Sequence, residues 1–448
     1  MSRHVTRRDF LASGLASLGA IVVAPGILPR LFGAPRVTDG PYGPLRPADT
    51  NGVMLPRGFT SRVVARSGSK VAGSDYVWHD NPDGGATFAT DDGGWIYVSN
   101  SETNAPHGGA GAIRFAKDGN IADGYRICDG TNRNCAGGPT PWGTWLTCEE
   151  VDRGRVWECD PTGERLAVVR PALGVFQHES AAVDPEHKRV YLTEDQPDGR
   201  FYRFTPLRYP GLQTGVLEVA DVASDGRTTW HPVPDPSART IATRKQVASS
   251  TRFDGGEGTW YDAGVVYFTT KGDNRVWAYD TRDDRMSVLY DASKVERAPL
   301  SGVDNITGSS SGDLFIAEDG GNLEIVMITP DEQIAVVMRL TGSAHDGSEI
   351  AGPAFDPSGR RLYFSSQRGD RRGMTFEVAG PFRKAAKTPA AKTARPRHSA
   401  TPEPLDFASD DDGVPVAVPV AAAAAAAAAV GGGVLSRRRR RAAGRPDA

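Results

Sequence analysis

The sequence predicts an all-β protein built as a six-bladed β-propeller. Short strands that alternate apolar and small residues recur about every forty-five to seventy-five residues, and each ends in a charged or polar group. Of the 448 residues, 52 are glycine and 32 are proline, and the body of the chain shows no long helical periodicity. This composition is typical of many short strands joined by turns, and the repeat predicts radial blades around one axis.

The repeat has two polar positions in each unit. The apolar strands cover residues 95–102, 144–150, 190–195, 265–273, 313–319 and 361–368. About fourteen to twenty-two residues before each strand end stands a second polar residue, namely Asp80, Cys135, Glu179, Glu257, Asp304 and Glu349. Turn signals such as Asp91-Asp92-Gly93-Gly94 usually separate the two positions, which predicts a strand, a hairpin turn and a second strand.

These hairpins are expected to direct their polar residues to one place. In an antiparallel hairpin, the start of the first strand and the end of the second strand lie at the same end. Six hairpins around an axis therefore gather about a dozen polar groups at one mouth of a central channel. Crowded carboxylates raise each other's pKa or require cations. The sequence therefore predicts a metal site at this mouth.

The N-terminal residues predict an export signal over residues 1–34. Thr6-Arg7-Arg8-Asp9-Phe10-Leu11 precedes an apolar run rich in glycine and alanine, as in substrates of the twin-arginine (Tat) translocase. The alternative is an ordinary first helix that contains two arginines. A Tat signal implies export of the folded protein, which suits a chain that carries a metal site.

The C-terminal residues predict a membrane tether. Residues 383–413 form a disordered linker rich in proline, alanine and lysine, and residues 414–436 form a transmembrane anchor. Residues 437–448 form a basic cytoplasmic tail, which places the body, residues 35–382, on the extracellular face of the cell membrane. The alternative for the alanine-rich stretch is low complexity without a membrane span.

Composition narrows the range of partners. The formal net charge is -3, and no basic patch with interleaved aromatic residues is present, which argues against nucleic acid. We expect a monomer that acts on a small molecule.

The four cysteines lie between residues 128 and 159. If Arg153-Gly154 forms a two-residue turn, Cys148 and Cys159 face each other across a hairpin and form a disulfide. Cys135 has two interpretations, a disulfide with Cys128 or a thiolate metal ligand. A soft thiolate favours a transition metal over calcium.

Residues 134–150, with the sequence NCAGGPTPWGTWLTCEE, resemble the signature of the PhoX-type alkaline phosphatases. Further matches follow in the expected order at residues 256–260, 303–305 with 317–320, and 348–355 with 367–369. The resemblance extends over about residues 40–375. It implies a six-bladed propeller that hydrolyses phosphomonoesters at a centre of iron (Fe³⁺) and calcium (Ca²⁺).

The resemblance also implies metal ligands. The iron-binding cysteine of the family corresponds to Cys135, and its carboxylate ligands correspond to the Glu149-Glu150 pair, Glu257, Glu318 and Glu349. Glu149 and Glu150 point to opposite faces of a strand, so at most one reaches the axis, and the sequence leaves open which one. The repeat adds four further candidate ligands: Glu179, Glu194, Asp304 and Glu102.

Two cations stand where other repeats have acids. Lys271 and Arg368 are expected to hold the phosphate, or alternatively to form structural salt bridges with neighbouring carboxylates. His178 is a candidate leaving-group acid, ligand or packed imidazole. Many PhoX enzymes have Asn-His-Glu in the first blade, whereas this chain has Asn100-Ser101-Glu102.

Two other functions remain open at this point. One is a calcium-dependent enzyme that resembles the lactonase propellers, and the other is a calcium-stabilised binding propeller without catalysis. Cys135 and the number of paired acids argue against both.

Overall fold

A computed structural model describes residues 36–384, and within this range the chain folds into six β-sheets, antiparallel except for the short strand Arg36–Val37, arranged as the blades of a propeller. The predicted signal, anchor and tail, and all but the start of the predicted linker, lie outside the described residues. The inner strands of neighbouring blades contact each other in a closed ring. The prediction of an all-β, six-bladed propeller is confirmed. No helix within the described residues is long and apolar enough to cross a membrane.

In blades 1 to 3 the strands follow chain order from the channel outward. Blade 1 consists of Pro82–Ala89, Trp95–Ser101, Gly108–Phe115 and Ile121–Thr131. Blade 2 consists of Asn134–Pro139, Trp145–Glu149, Val156–Cys159 and Val168–Val169. Blade 3 has a fifth strand and consists of His178–Asp184, Arg189–Glu194, Phe201–Pro206, Gly215–Val222 and Thr228–Pro232.

Blades 4 and 5 repeat this order. Blade 4 consists of Gly256–Asp262, Val265–Thr270, Arg275–Asp280 and Arg285–Asp291. Blade 5 consists of Val303–Gly308, Leu314–Glu318, Glu324–Ile328 and Gln333–Leu340, and its outer strand also pairs with Arg36–Val37 and Val53–Met54. Short 3₁₀ turns occur at Pro171–Leu173, Thr243–Lys245, Ala292–Lys294, Ser343–His345 and Gly369–Arg371.

Blade 6 closes the ring with strands from both parts of the described chain. Ile350–Phe355, Arg361–Ser366 and Met374–Ala379 form its three inner strands, and Thr60–Arg66 pairs with the third of them as the outer strand. A strand from the beginning of the chain thus holds the last blade in place. The ring closes without an unpaired gap between its first and last blades.

Aromatic side chains fill the space between blades. Phe201 of blade 3 stacks on Phe268 of blade 4 with ring centroids 4.3 Å apart. Tyr97 of blade 1 stacks on Tyr363 of blade 6 at 4.9 Å. Because strand side chains alternate, one face of each sheet packs against the preceding blade and the other against the following one. The apolar alternation that predicts the strands therefore also supplies the packing between blades.

The predicted Cys148–Cys159 disulfide is wrong. In the hairpin of blade 2, Cys148 pairs with Val156 and Cys159 pairs with Trp145. The turn is longer than the predicted two residues, so the cysteines are offset by three positions, or about 10 Å along the strand, whereas a disulfide needs Cα atoms within about 7 Å. All four cysteines carry free thiols in this structure. Cys135 lies against Asp83 and Glu179 and is not paired with Cys128.

Candidate functional site

The inner strand of every blade contains an irregularity in its pairing near one end. The register shifts lie at Pro82/Gly85, Asn134/Gly137, His178/Ala181, Gly256/Thr259, Val303/Ile306 and Ala351/Ala354. A bulge inserts a residue and re-aims its side chain. In blades 1 to 5 the residues inside these bulges include Asp83, Cys135, Glu179, Glu257 and Asp304. In blade 6, Glu349 directly precedes the inner strand.

Small residues next to these polar residues let the inner strands converge. A β-carbon added at Gly84 would lie 2.5 Å from the Cα of Ala136 in blade 2. A β-carbon at Gly258 would lie 2.7 Å from the Cα of Asn305 in blade 5. Both distances are too short for a real side chain, so glycine is required at these two positions. The acids of neighbouring blades are therefore brought together by close backbone contact.

A second set of side chains enters the mouth from the second strand of each blade. In each case it is the residue that follows the strand's last residue, namely Glu102, Glu150, Asp195, Lys271, Asp319 and Gln367. The last strand residue itself points to the opposite face, because alternate side chains of a strand face opposite ways. Of the two consecutive glutamates, Glu150 therefore faces the channel mouth and Glu149 faces the opposite side of the strand. Glu150 lies within reach of Cys135 and Glu179.

Together the two sets bring eight carboxylates and one thiol into overlapping groups. In each group, one potential ligand atom per residue lies within 4.8 Å of the others. The groups are Cys135 with Glu150 and Glu179; Asp83 with Glu102 and Glu349; Glu179 with Glu257 and Asp304; and Asp304 with Asp319 and Glu349. Three of these residues belong to two groups each, so the groups form one continuous cluster.

Three predicted ligands lie outside this cluster because other partners hold their carboxylates. Glu149 accepts hydrogen bonds from the backbone N–H groups of Asn132 and Arg155, both at 3.1 Å. The other two carboxylates have similar partners, since Glu318 accepts from the backbone of Ser301 and Glu324, and Glu194 accepts from the Tyr202 hydroxyl and Arg244. The structure therefore does not bring these three predicted ligands together with the others, and their hydrogen bonds hold the neighbouring loops and side chains in place.

Two acids of the cluster were not predicted. Asp83 takes the place expected for Asp80, which is exposed, and Asp83 is buried inside the bulge of blade 1. The sequence signal is the small residues that follow, since Asp83-Gly84-Gly85 matches Cys135-Ala136-Gly137. Asp319 directly follows Glu318, as Glu150 follows Glu149, and the same alternation would have identified it.

Three cations reach the carboxylates. The Nζ atom of Lys271 lies 2.9 Å from Glu257 Oε1 and 3.3 Å from Asp319 Oδ2. Arg368 Nη1 lies 2.7 Å from Glu349 Oε1. These ion pairs are the arrangement expected from the salt-bridge alternative.

Arg133 is the third of these cations, and it was not predicted from the sequence. It pairs with Glu102 and also with Glu150, 2.9 Å away, and so joins blades 1 and 2.

The carboxylates are strongly perturbed by burial and by each other. Burial and the neighbouring acids raise the pKa of Glu150 to about 8, and they raise the pKa of Glu179 well above its ordinary value. Burial raises the pKa of Asp304 to about 7, and burial with the surrounding acids also raises the pKa of the Cys135 thiol. All of these shifts oppose the anionic forms, because the charges lie close together away from water.

The donor set fits multivalent cations. Glu179 Oε2 is buried and has no hydrogen-bond partner, and its Oε1 lies 3.3 Å from the Cys135 sulfur. Within residues 36–384, the eight carboxylates form ion pairs with three cationic side chains, Arg133, Lys271 and Arg368. Carboxylate oxygens are suited to hard cations such as calcium, and a thiolate beside them is suited to a transition metal such as iron.

Asn100 supports the loop that holds the thiol. Its side-chain nitrogen donates to the carbonyl oxygens of Cys135 and Ala136, both at 2.8 Å. Its side-chain oxygen accepts from Trp145 Nε1 at 2.9 Å and from the Thr147 hydroxyl at 2.8 Å. Every hydrogen-bonding position of this buried amide is in use, so the Cys135 backbone is fixed from behind.

His178 is a packed imidazole. Its ring stacks on Phe176 at 3.6 Å, its Nε2–H donates to the carbonyl of Gly174 at 3.1 Å, and burial lowers its pKa to about 3. A buried, neutral imidazole in a stack is poorly placed to transfer protons.

We expect the metal-depleted protein to lose stability as the pH rises from about 5 to 8. Raised carboxyl pKa values mean that the folded state keeps protons that the unfolded chain has already released in this range, so rising pH favours unfolding. Thermal melting in a chelator at several pH values measures this. Glu179→Gln should weaken the dependence, whereas Asp75→Asn, at an exposed position, should leave it unchanged. A melting midpoint of the chelated protein that is constant over this range would contradict the prediction.

Comparison with known proteins gives one family. The profile of the family described as alkaline phosphatase PhoX matches residues 98–167 and 151–370. No curated protein matches the chain.

Two solved structures illustrate what the chain is similar to. PhoX of Pseudomonas fluorescens, in complex with the transition-state analogue vanadate, is similar with a TM-score of 0.64 and 18% identity, over 75% of this chain and 97% of that chain. A gluconolactonase from Xanthomonas campestris is similar with a TM-score of 0.42 and 14% identity, over 76% of this chain and 99% of that chain.

Proposed function

Because the chain belongs to the PhoX alkaline phosphatase family and is therefore a phosphomonoesterase, we propose that its active site is the acidic cluster at the mouth of the propeller channel. The observation that supports this site is the overlap of four potential ligand groups, with eight carboxylates and one thiol. Such a concentration of buried acids is unfavourable without multivalent cations.

We propose that the cluster holds iron and calcium. Cys135, Glu150 and Glu179 would hold iron, because this group contains the thiol, and the groups made only of carboxylates would hold calcium. When bound, such cations polarise the phosphoryl oxygens and make an oxygen nucleophile available near neutral pH. The protein's own contribution is to fix the ligands by bulges and by the hydrogen bonds of Asn100.

The cations at the mouth are proposed to bind the phosphate group. A phosphomonoester dianion is repelled by free carboxylates, so positive groups must face it. Lys271, Arg368 and Arg133 each pair with acids of the cluster and are one-third or more exposed. With metal bound to the carboxylates, the N–H groups of these side chains would be free to donate to the phosphate oxygens and to stabilise the charge that develops on them.

Adjacent residues of blade 2 offer a test of the site. We expect Glu150→Gln to lower kcat/KM by about 10²- to 10³-fold and to reduce bound iron, because Glu150 is a ligand candidate beside Cys135. Glu149→Gln is the matched control: it should keep the metal and most activity, while the free energy of unfolding falls by about 1–3 kcal/mol through its lost hydrogen bonds. Elemental analysis, hydrolysis of an aryl phosphate and urea unfolding provide the three readouts.

The two alternative functions make different predictions for the same measurements. A lactonase-like enzyme or a binding propeller would contain calcium without iron. Calcium alone, together with unchanged phosphatase turnover in Cys135→Ala, would overturn the proposed iron–calcium centre.

Substitution of the cations tests their role in binding the phosphate. We expect Lys271→Ala and Arg368→Ala each to lower kcat/KM for aryl phosphate by about 10²-fold or more, because each removes a charged donor from the phosphate. Metal content should stay close to that of the native protein. Lys294→Ala, which removes an exposed lysine paired with Asp291 at the end of the outer strand of blade 4, is the control. A purely structural salt bridge would instead lower the melting midpoint and leave kcat/KM unchanged.

We also propose export by the Tat translocase and a C-terminal tether that holds the enzyme on the outer face of the cell membrane. A chain that ends after Arg383 should be released into the medium with full activity, since it retains all six blades. Replacement of Arg7 and Arg8 by lysine should keep the full-length protein inside the cell. Retention of the shortened chain on the membrane would contradict the tether.

A further inference from the structure

The thiols of Cys128 and Cys159 meet at the seam between blades 1 and 2. Cys128 lies on the outer strand of blade 1, Ile121–Thr131, and Cys159 ends the third strand of blade 2, Val156–Cys159. Both belong to one buried apolar cluster that also contains Trp145, with 4% and 0% of their surfaces exposed. The two thiols are close enough to perturb each other: Cys159 lowers the pKa of Cys128, and burial together with Cys128 raises the pKa of Cys159.

The other two cysteines have different surroundings. Cys135 faces Asp83 and Glu179 at the channel mouth, and Cys148 lies on the second strand of blade 2, paired with Val156. Among the four cysteines, only Cys128 and Cys159 interact with each other through their side chains.

We propose that Cys128 and Cys159 form a disulfide that fastens blade 1 to blade 2. This inference is independent of the phosphatase reaction. Two thiols give up two protons and two electrons, and a disulfide oxidant accepts them and is reduced to two thiols while the new S–S bond forms.

The surroundings favour Cys128 as the attacking thiol. Its hydrogen bond from Cys159 and the nearby Arg126 lower its pKa, whereas burial raises the pKa of Cys159. Cys128 also lies on the outermost strand of its blade, which has no further strand on its outer side. Opening of this edge exposes the thiol without breaking the inner ring of the propeller.

The proposed Cys128–Cys159 bond is connected, through neighbouring residues, to the backbone that positions Cys135. Cys159 pairs with Trp145 across the sheet, and Trp145 donates to Asn100, which in turn holds the Cys135 carbonyl. A covalent bond at this seam therefore restrains the two blades that together position the thiol ligand. We expect reduction to lower the melting midpoint by several degrees.

Peptide mapping tests the link directly. The purified full-length protein is treated with oxidised glutathione, alkylated without reductant and digested with trypsin. Cys128 falls in residues 127–133 and Cys159 in residues 156–165, whereas Cys135 and Cys148 share residues 134–153. We expect the first two peptides to be joined and the third to carry two alkylated cysteines. Cys148→Ser should keep the link, and Cys128→Ser should abolish it together with the effect of reductant on the melting midpoint.

Other results would overturn the proposal. A link between 134–153 and 156–165 would mean a Cys148–Cys159 disulfide, and a link between 127–133 and 134–153 would involve Cys128 with Cys135 or Cys148. Four alkylated cysteines, or glutathione on Cys128 or Cys159 without a link between them, would equally exclude it. Because the map does not use activity, it can fail or succeed independently of the proposed phosphatase site.

Discussion

Repulsion among buried carboxylates at one mouth of the channel is the constraint that the rest of the propeller has to withstand. Burial and mutual charge raise the pKa values of these acids, so the protein alone stabilises their anionic forms poorly. The opposing forces are spread over the whole ring. Aromatic stacks such as Phe201 on Phe268 hold neighbouring blades together, and Thr60–Arg66 closes the last blade. Packing between the blades, far from the axis, therefore holds the mutually repelling carboxylates together at the channel mouth.

A simple rule of strand geometry separates structural acids from site acids. The last residue of the second strand faces its own blade, where Glu149 and Glu318 accept backbone hydrogen bonds, and the next residue faces the channel. Neighbouring acids in the sequence thus have unlike roles. A family signature with two consecutive glutamates contains one ligand candidate and one loop-fixing residue.

The fold could be predicted from the sequence because its repeat is local. Each strand pair, such as residues 256–270, shows its alternation and its turn within one short segment. The site was predicted less completely because it depends on offsets of one to three residues. The register of a strand end decides between Glu149 and Glu150, and a bulge decides between Asp80 and Asp83. Neither register nor bulge can be read from alternation alone.

The contacts of the cysteines were also not predictable from sequence patterns, because they depend on turn length and on packing between blades. Cys148 and Cys159 are close in sequence, and the hairpin between them is real, but a longer turn moves them out of register. Cys128 and Cys159 meet only because two blades pack side by side, which no pattern within either blade reveals. Contacts between blades are fixed by the ring as a whole. The acidic cluster takes residues from all six blades, so the distances between its acids depend on how the ring closes. A bond between two neighbouring blades therefore also affects the geometry of the site.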